Sequence, residues 1–419
     1  MLNTLSLHNT GPAAELRLDF AKRLNLLTGD NGLGKSFVLD TAWWVLTRTW
    51  SGPMARPMDA TKPARIGYAF DAKTTSRESF SKWSASRQTW GTKDVGRPPK
   101  PGLVLYAQVD GGFSVWDPAR NYWRLDPDRP DAYILEAAQV WNGLDLNGKP
   151  ACNGLIRDWA SWQKAKGHQF ELMKAAIEAM SPSKDEPLRP GKLTRVNLDD
   201  VRDTPTIRMP YGQDVPIVHA SAGIRRTAAL AYLLVWAWTE HAQASKLLGH
   251  KTTSQIIFLI DEIEAHLHPR WQRTILDGLF AVVRKTLKPK RPTVQIIAAT
   301  HSPLILASAE SMFDVDEDRW LDFDLTQDGV TVTEREFIRH GDASGWLTSE
   351  AFDLPTAYSL STEKAIEEAS ALLGRRTVEK AAFLAADKKL HAVLSDIDPF
   401  WIRWRYFGEK KGFVRKDPA

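Results

Sequence analysis

The chain has 419 residues, 43% hydrophobic and 25% charged, which is enough to bury a real core in one large domain or two ordinary ones. A net charge of +4 allows a basic patch without calling for nucleic acid, and a single cysteine, Cys152, excludes an internal disulfide and reads as a structural thiol. No stretch approaches the roughly 18 apolar residues of a membrane span, and the N-terminus lacks a signal peptide's basic start, so the expectation is a cytoplasmic protein without membrane contact.

Residues 2–7, the alternating stretch 15–20 and the apolar run 24–27 read as strands, and residues 37–46 have helical length without a breaker. Residues 51–64, with three prolines and a glycine, read as a loop. Strand patterns follow at 65–70, 79–90 and 103–108, the last after a Pro/Gly/Lys cluster at 97–102. Helical spacing at 155–159 and 170–180 marks a small insertion, taken as about 140–195. Short strands at 205–209 and 215–218 precede a helix starting near Ser221 and the buried strand 256–260. A helix then runs from His268-Pro269 towards Leu287, followed by strand 294–298. The tail holds a short strand at 330–333, helical segments at 362–373 and 378–394, and an aromatic-basic end at 398–407. Seventeen tryptophans read as large fillers of core and interfaces rather than as base-stacking platforms.

Three motifs carry chemistry. Gly29-Asp-Asn31-Gly32-Leu-Gly34-Lys35-Ser36 fits the pattern G-x-x-x-x-G-K-[ST] between an apolar strand and a helix. Glycines let successive N–H groups curl around phosphates, and the helix start at Phe37 adds its dipole. Lys35 supplies charge to the β- and γ-phosphates of ATP, and Ser36 places a hydroxyl on Mg²⁺. The run Ile256–Ile260 ends in Asp261-Glu262: Asp261 orients Mg²⁺, and Glu262 polarises the attacking water as general base. A further apolar strand delivers His301 to the same edge, where an imidazole can bond the γ-phosphate or the water.

These residues resemble a known group. Asp261-Glu-Ile-Glu-Ala-His-Leu-His-Pro269 is similar to the D-E-P-E-x-H-L-H-P segment of the AAA15/OLD-like branch of ABC ATPases, with Ile263 in place of the proline. The segment 299–306 is similar to that branch's switch region. Ser221 and Gly223 stand where the family's signature motif lies, with departures at Ala220, Ala222 and Ile224, where Arg225 or Arg226 would supply charge. The resemblance implies an α/β fold: an ABC-type head (1–310) with a mostly parallel sheet, an antiparallel β subdomain and the helical insertion, then a mainly helical region (311–419). It also implies a head-to-tail homodimer, or a higher oligomer, in which Ser221 and Gly223 of one subunit cap the nucleotide of the other. The sequence does not place the family's Q-loop glutamine; Gln108 and Gln139 are both candidates. His266, His268 and Glu264 invite a metal reading, but a spacing of two is poor for a helix-borne pair, and the family pattern already accounts for them.

Relatives often carry a C-terminal TOPRIM nuclease, which needs a glutamate and an Asp-x-Asp pair on alternating strands and helices. Asp314/Asp316, Asp396/Asp398, Glu334, Glu336 and Glu379 are present, but that alternation is missing. The expectation is therefore a stand-alone ATPase, like those of Septu-like, retron-associated and PARIS-like anti-phage systems, gating a separate effector. Trp401, Trp404, Tyr406 and Phe407 would dock that partner or pack a terminal helix. The alternative is a DNA-maintenance ATPase of the RecF/SMC kind, with Arg403, Arg405, Lys410, Lys411, Arg415 and Lys416 as its basic stripe.

Overall fold

The computed structural model describes residues 1–71, 78–91, 101–122, 130–286, 293–327 and 329–414. The chain divides into two compact units, Met1–Trp346 and Leu347–Ala419. The first opens with β1 (Leu2–His8), β2 (Glu15–Asp19), β3 (Leu24–Gly29), α1 (Lys35–Thr47), β4 (Arg65–Phe70) and the hairpin β5 (Ser79–Ser84) and β6 (Thr89–Trp90). Next come β7 (Leu103–Ala107), β8 (Phe113–Trp116), β9 (Tyr133–Leu135) and α2 (Ala137–Asn142). The insertion holds the hairpin β10 (Leu144–Leu146) and β11 (Lys149–Cys152), then α3 (Leu155–Ala165) and α4 (His168–Ala179). The short strands β12 (Arg189–Pro190), β13 (Thr206–Arg208) and β14 (Asp214–Pro216) form a small sheet before α5 (Ala222–Leu247). The unit continues with β15 (Gln255–Ile260), α6 (Pro269–Gln272), α7 (Ile275–Thr286), β16 (Thr293–Ala299), α8 (Pro303–Ala309), β17 (Asp318–Thr326) and β18 (Gly329–Arg335). After α9 (Ala343–Leu347), the second unit contains α10 (Leu360–Leu373), α11 (Lys380–Val393) and α12 (Phe400–Lys410).

Two sheets sandwich α1. One is antiparallel in the order β2-β1-β4-β5-β6; the other runs β18-β17-β3-β16-β15-β7-β8-β9. Within the second, β17, β3, β16, β15 and β7 are mutually parallel, and the outer strands are antiparallel. Val38, Leu39, Trp43 and Leu46 of α1 pack with Leu5 and Leu7 of β1 and with Ile257, Leu259 and Ile297 of the parallel strands in one core. Every residue of β15 after Gln255 is buried, because both faces of the sheet are covered, and the continuous apolar run is what such a strand needs.

The α/β architecture expected from the sequence is present, with differences in detail. The head was expected to end at 310, but β17 pairs with β3 and β18 with β17, and the first unit runs to Trp346. The acidic residues that disguised β17 are satisfied internally: Arg23 pairs with Asp318, and Thr28 donates to Asp322 at 2.6 Å. The single helix expected after His268 is broken between α6 and α7, where the Thr274 hydroxyl donates to the Ser181 carbonyl at 3.2 Å. The stretch 79–90 is a hairpin rather than one strand, and 217–219 form a 3-10 turn where strand was expected. Residues 97–100, Leu287, Arg415 and Lys416 lie outside the described residues. Among the described residues no helix is long and apolar enough to cross a membrane.

In the second unit Trp401 and Trp404 are buried, so both belong to its core. Phe383 stacks on Trp404 with ring centroids 4.5 Å apart, Phe407 packs beside them, and Tyr406 stays exposed. Asp398, one of the acids weighed for a nuclease, accepts from the Phe400 N–H at 2.8 Å and from the Tyr358 hydroxyl at 2.7 Å, fixing the start of α12. Phe383→Ala is expected to destabilise this unit by about 3–5 kcal/mol. Hydrogen exchange should show lost protection across α10–α12, with the strands around Gly29 unaffected.

Candidate nucleotide site

Parallel strands deliver their C-terminal ends to one edge, and here they do so in register. Leu27 pairs with Ala299, Ala298 with Ile260, and Ile260 with Ala107. The residues that follow, Gly29–Ser36, Thr300-His301, Asp261-Glu262 and Gln108, therefore emerge side by side. Backbone bonds continue the alignment past the strands: Thr300 N–H to Leu27 O at 3.0 Å, Ile263 N–H to Ala299 O at 3.1 Å, and Asp261 N–H to Ala107 O at 2.9 Å. Ligand sites of open α/β sheets lie at this carboxyl edge.

The loop after β3 has left-handed backbone at Gly29, Gly32 and Gly34. At Gly29 a β-carbon would stand 2.1 Å from the Phe323 carbonyl oxygen, so β17 requires glycine there. Gly32 has open space around it, and Asn31 beside it is exposed. The start of α1 has no side-chain cap, which leaves the N–H groups of Lys35, Ser36 and Phe37 available to an anion. The Phe37 ring packs against Gly11, so only its backbone is offered to the loop.

The Lys35 ammonium is buried and donates to the carbonyls of Gly29 at 2.7 Å and Asp30 at 2.8 Å. Burial pulls its pKa down to about 8, opposed by the charges of Asp261, Asp30, Glu262 and Glu264. Burial, then the nearby Lys35 ammonium, lowers the His301 pKa and favours neutral imidazole. Asp261 is buried, its pKa raised by that burial, and the Ser36 hydroxyl bonds to it. A buried carboxylate beside a hydroxyl and phosphate oxygens is the donor set Mg²⁺ prefers, so Ser36 and Asp261 fit that ion. Glu262 has φ 45°, a left-handed conformation rare for a residue with a side chain, which sets its carboxylate off from the line of β15.

Glu264 is the residue the sequence reading missed. Its carboxylate accepts from the Thr300 hydroxyl at 2.7 Å and the His301 N–H at 2.5 Å, so it ties the loop after Glu262 to the loop bearing His301. Burial raises its pKa. Its sequence signal was its fixed place in the segment Asp261–Pro269, which suggested a metal ligand rather than this clamp. With Glu264 so engaged and His266 and His268 exposed, the structure does not bring these three together around an ion. Of the two glutamine candidates, Gln108 follows β7 at the site edge and donates to Ser51 O at 3.4 Å, whereas Gln139 caps α2 within the insertion. Ser221 is exposed at the N-cap of α5, its hydroxyl accepting from Ile224 N–H at 3.4 Å. Gly223 lies against the loop after Glu262: a β-carbon there would stand 2.9 Å from His266 O.

Residues 24–307 match the family described as "AAA domain, putative AbiEii toxin, Type IV TA system". The chain belongs to that family. It is 46% identical over 55 residues to the retron Vc95 probable ATPase of Vibrio cholerae serotype O1 biovar El Tor, covering 13% of this chain and 9% of that protein. It is 33% identical over 98 residues to the retron Ec83 probable ATPase of Escherichia coli, covering 23% and 15%. It is 50% identical over 50 residues to the Septu protein PtuA of Bacillus mycoides (strain KBAB4), covering 12% and 6%. The matches thus span less than a sixth of each relative's length. Among solved structures, the SMC head domain from Thermotoga maritima aligns with 13% identity and a TM-score of 0.39, covering 80% of this chain and 99% of that one. The family and these relatives bear out the resemblance read from the motifs.

Glu264→Gln keeps the shape of the clamp but weakens its two bonds, and a small displacement of His301 follows. ATP affinity is expected to stay within a few-fold while the turnover number falls by about tenfold to a hundredfold. Equilibrium binding and steady-state hydrolysis on the same preparation check both halves.

Proposed function

We propose that the chain binds Mg-ATP in the loop Gly29–Ser36, hydrolyses it as a head-to-tail homodimer, and uses its nucleotide state to control a separate effector protein in anti-phage defence. The observation that carries the hydrolytic reading is the convergence of Lys35, Ser36, Asp261, Glu262 and His301 at one sheet edge through in-register parallel strands. The defence reading is supported by the retron and Septu relatives.

In this reading the N–H groups at the start of α1 and the Lys35 ammonium hold the β- and γ-phosphates, and Lys35 leaves the Gly29 and Asp30 carbonyls to do so. Mg²⁺, when bound, neutralises phosphate charge. Glu262, turned out of the strand line, takes the proton of the attacking water, and neutral His301 bonds the water or the γ-phosphate. Ser221 and Ala222 at the start of α5 are exposed, and in the dimer this helix start caps the nucleotide held by the other protomer. The exposed Tyr406 is the remaining aromatic of α12 suited to contact an effector.

Lys35→Ala is expected to abolish nucleotide binding, as measured by titration with a fluorescent ATP analogue. Glu262→Gln is expected to bind Mg-ATP normally, lose turnover by about a hundredfold or more, and accumulate as dimer in light scattering. Normal turnover in Glu262→Gln would remove it as the general base. Purification alongside the products of flanking genes tests the last step. A stoichiometric second protein whose activity changes with ATP supports effector control; duplex DNA alone, released by moderate salt, supports the DNA-maintenance alternative instead.

A further inference from the structure

Arg226 sits on the second turn of α5, five residues beyond Ser221, and only 8% of it is exposed. Its Nη2 atom is buried without a hydrogen-bond partner among the described residues. The charges acting on it are the carboxylates of Asp110, Asp261 and Glu262, which follow the ends of two neighbouring strands, β7 and β15. One Asp110 oxygen already accepts from the Gly112 N–H at 2.7 Å, and Asp261 receives the Ser36 hydroxyl. Glu262 is the member of the group held in left-handed backbone.

A guanidinium buried with a free N–H is costly, and replacing it by an apolar side chain would ordinarily be neutral or stabilising. It makes physical sense where the arginine has a second, paired arrangement. The start of α5 is also in direct register with the loop after Glu262, through the close approach of Gly223 to His266 O. The same helix therefore packs its backbone against the loop after Glu262 and carries a buried charge under the influence of the Asp110, Asp261 and Glu262 carboxylates.

We propose that Arg226 is a positioning residue for Glu262 of its own protomer, its guanidinium pairing with that carboxylate in the nucleotide-loaded state and holding it towards the attacking water. This rests on the head-to-tail reading above. Helix α5 then serves both sites of the dimer: its N-cap Ser221 caps the partner's nucleotide, and Arg226 supports the base of its own site.

Full-length Arg226→Met is expected to bind Mg-ATP within a few-fold of wild type, to melt no lower, and to lose turnover by about tenfold or more. Arg226→Lys is expected to recover part of the turnover. Mixed dimers then assign the protomer. Lys35→Ala mixed with Ser221→Arg leaves one whole site only if Ser221 acts across the dimer, so recovered hydrolysis confirms that arrangement independently of Arg226. With that in hand, Arg226→Met mixed with Ser221→Arg should recover hydrolysis, and Arg226→Met mixed with Glu262→Gln should not. The opposite pattern would place Arg226 in its partner's site and overturn the proposal. So would wild-type turnover in Arg226→Met, or an unfolded Arg226→Met beside an Arg226→Lys with unaltered kinetics. Failure of the Lys35→Ala and Ser221→Arg control would instead remove the head-to-tail reading itself.

Discussion

Register between parallel strands is the constraint from which the site follows. A hydrogen-bonded ladder allows only discrete alignments, and a slip of one residue turns every side chain to the opposite face. In this sheet the faces are buried by α1 on one side and by further apolar packing on the other, so the alignment of β3, β16, β15 and β7 is strongly held. Because the strands run the same way, each hands its next residue to the same edge. Lys35 lies more than two hundred residues in sequence from both the Asp261-Glu262 pair and His301, yet these groups need no long-range search once the sheet has formed.

What the edge then holds is a set of charged and polar groups removed from water and partnered mainly with one another. Lys35 rests on the Gly29 and Asp30 carbonyls, and Glu264 pins the His301 segment. Burial works against Lys35 as an ammonium and against Asp261 as a carboxylate. An anionic phosphate and a divalent cation relieve both penalties at once, which is a physical reason for this edge to bind the pair together rather than either alone. The left-handed Glu262 backbone and the Arg226 Nη2 atom, buried without a partner among the described residues, add to the same picture of groups that gain from a bound ligand.

Much of this was legible in the sequence because its determinants are local. The glycine spacing of 29–34 and the apolar run before Asp261 state both element and chemistry within a few residues. β17 was not legible because it carries Asp318 and Asp322 at buried positions, and the distant Arg23 and Thr28 are among the partners that make those acids tolerable. At the break between α6 and α7 the Thr274 hydroxyl reaches both the local Trp271 carbonyl and the distant Ser181 carbonyl, and no window around Thr274 contains the second. Glu264 stood at a motif position, but its role was not legible there because it is a contact with the distant residues 300 and 301. Trp401 and Trp404 could be read as docking surface or core, and the stacking of Phe383 on Trp404 decides for core.

In the proposed mechanism Lys35 leaves the Gly29 and Asp30 carbonyls for a triphosphate that a second protomer completes. A crystal structure of the Glu262→Gln variant grown with Mg-ATP tests it most directly. The account expects the Lys35 ammonium on the β- and γ-phosphates, the ion between Ser36 and Asp261, and Ser221 of the partner subunit against the γ-phosphate. A structure with nucleotide bound and Lys35 still on the Gly29 and Asp30 carbonyls, or with the site complete inside one protomer, would contradict it.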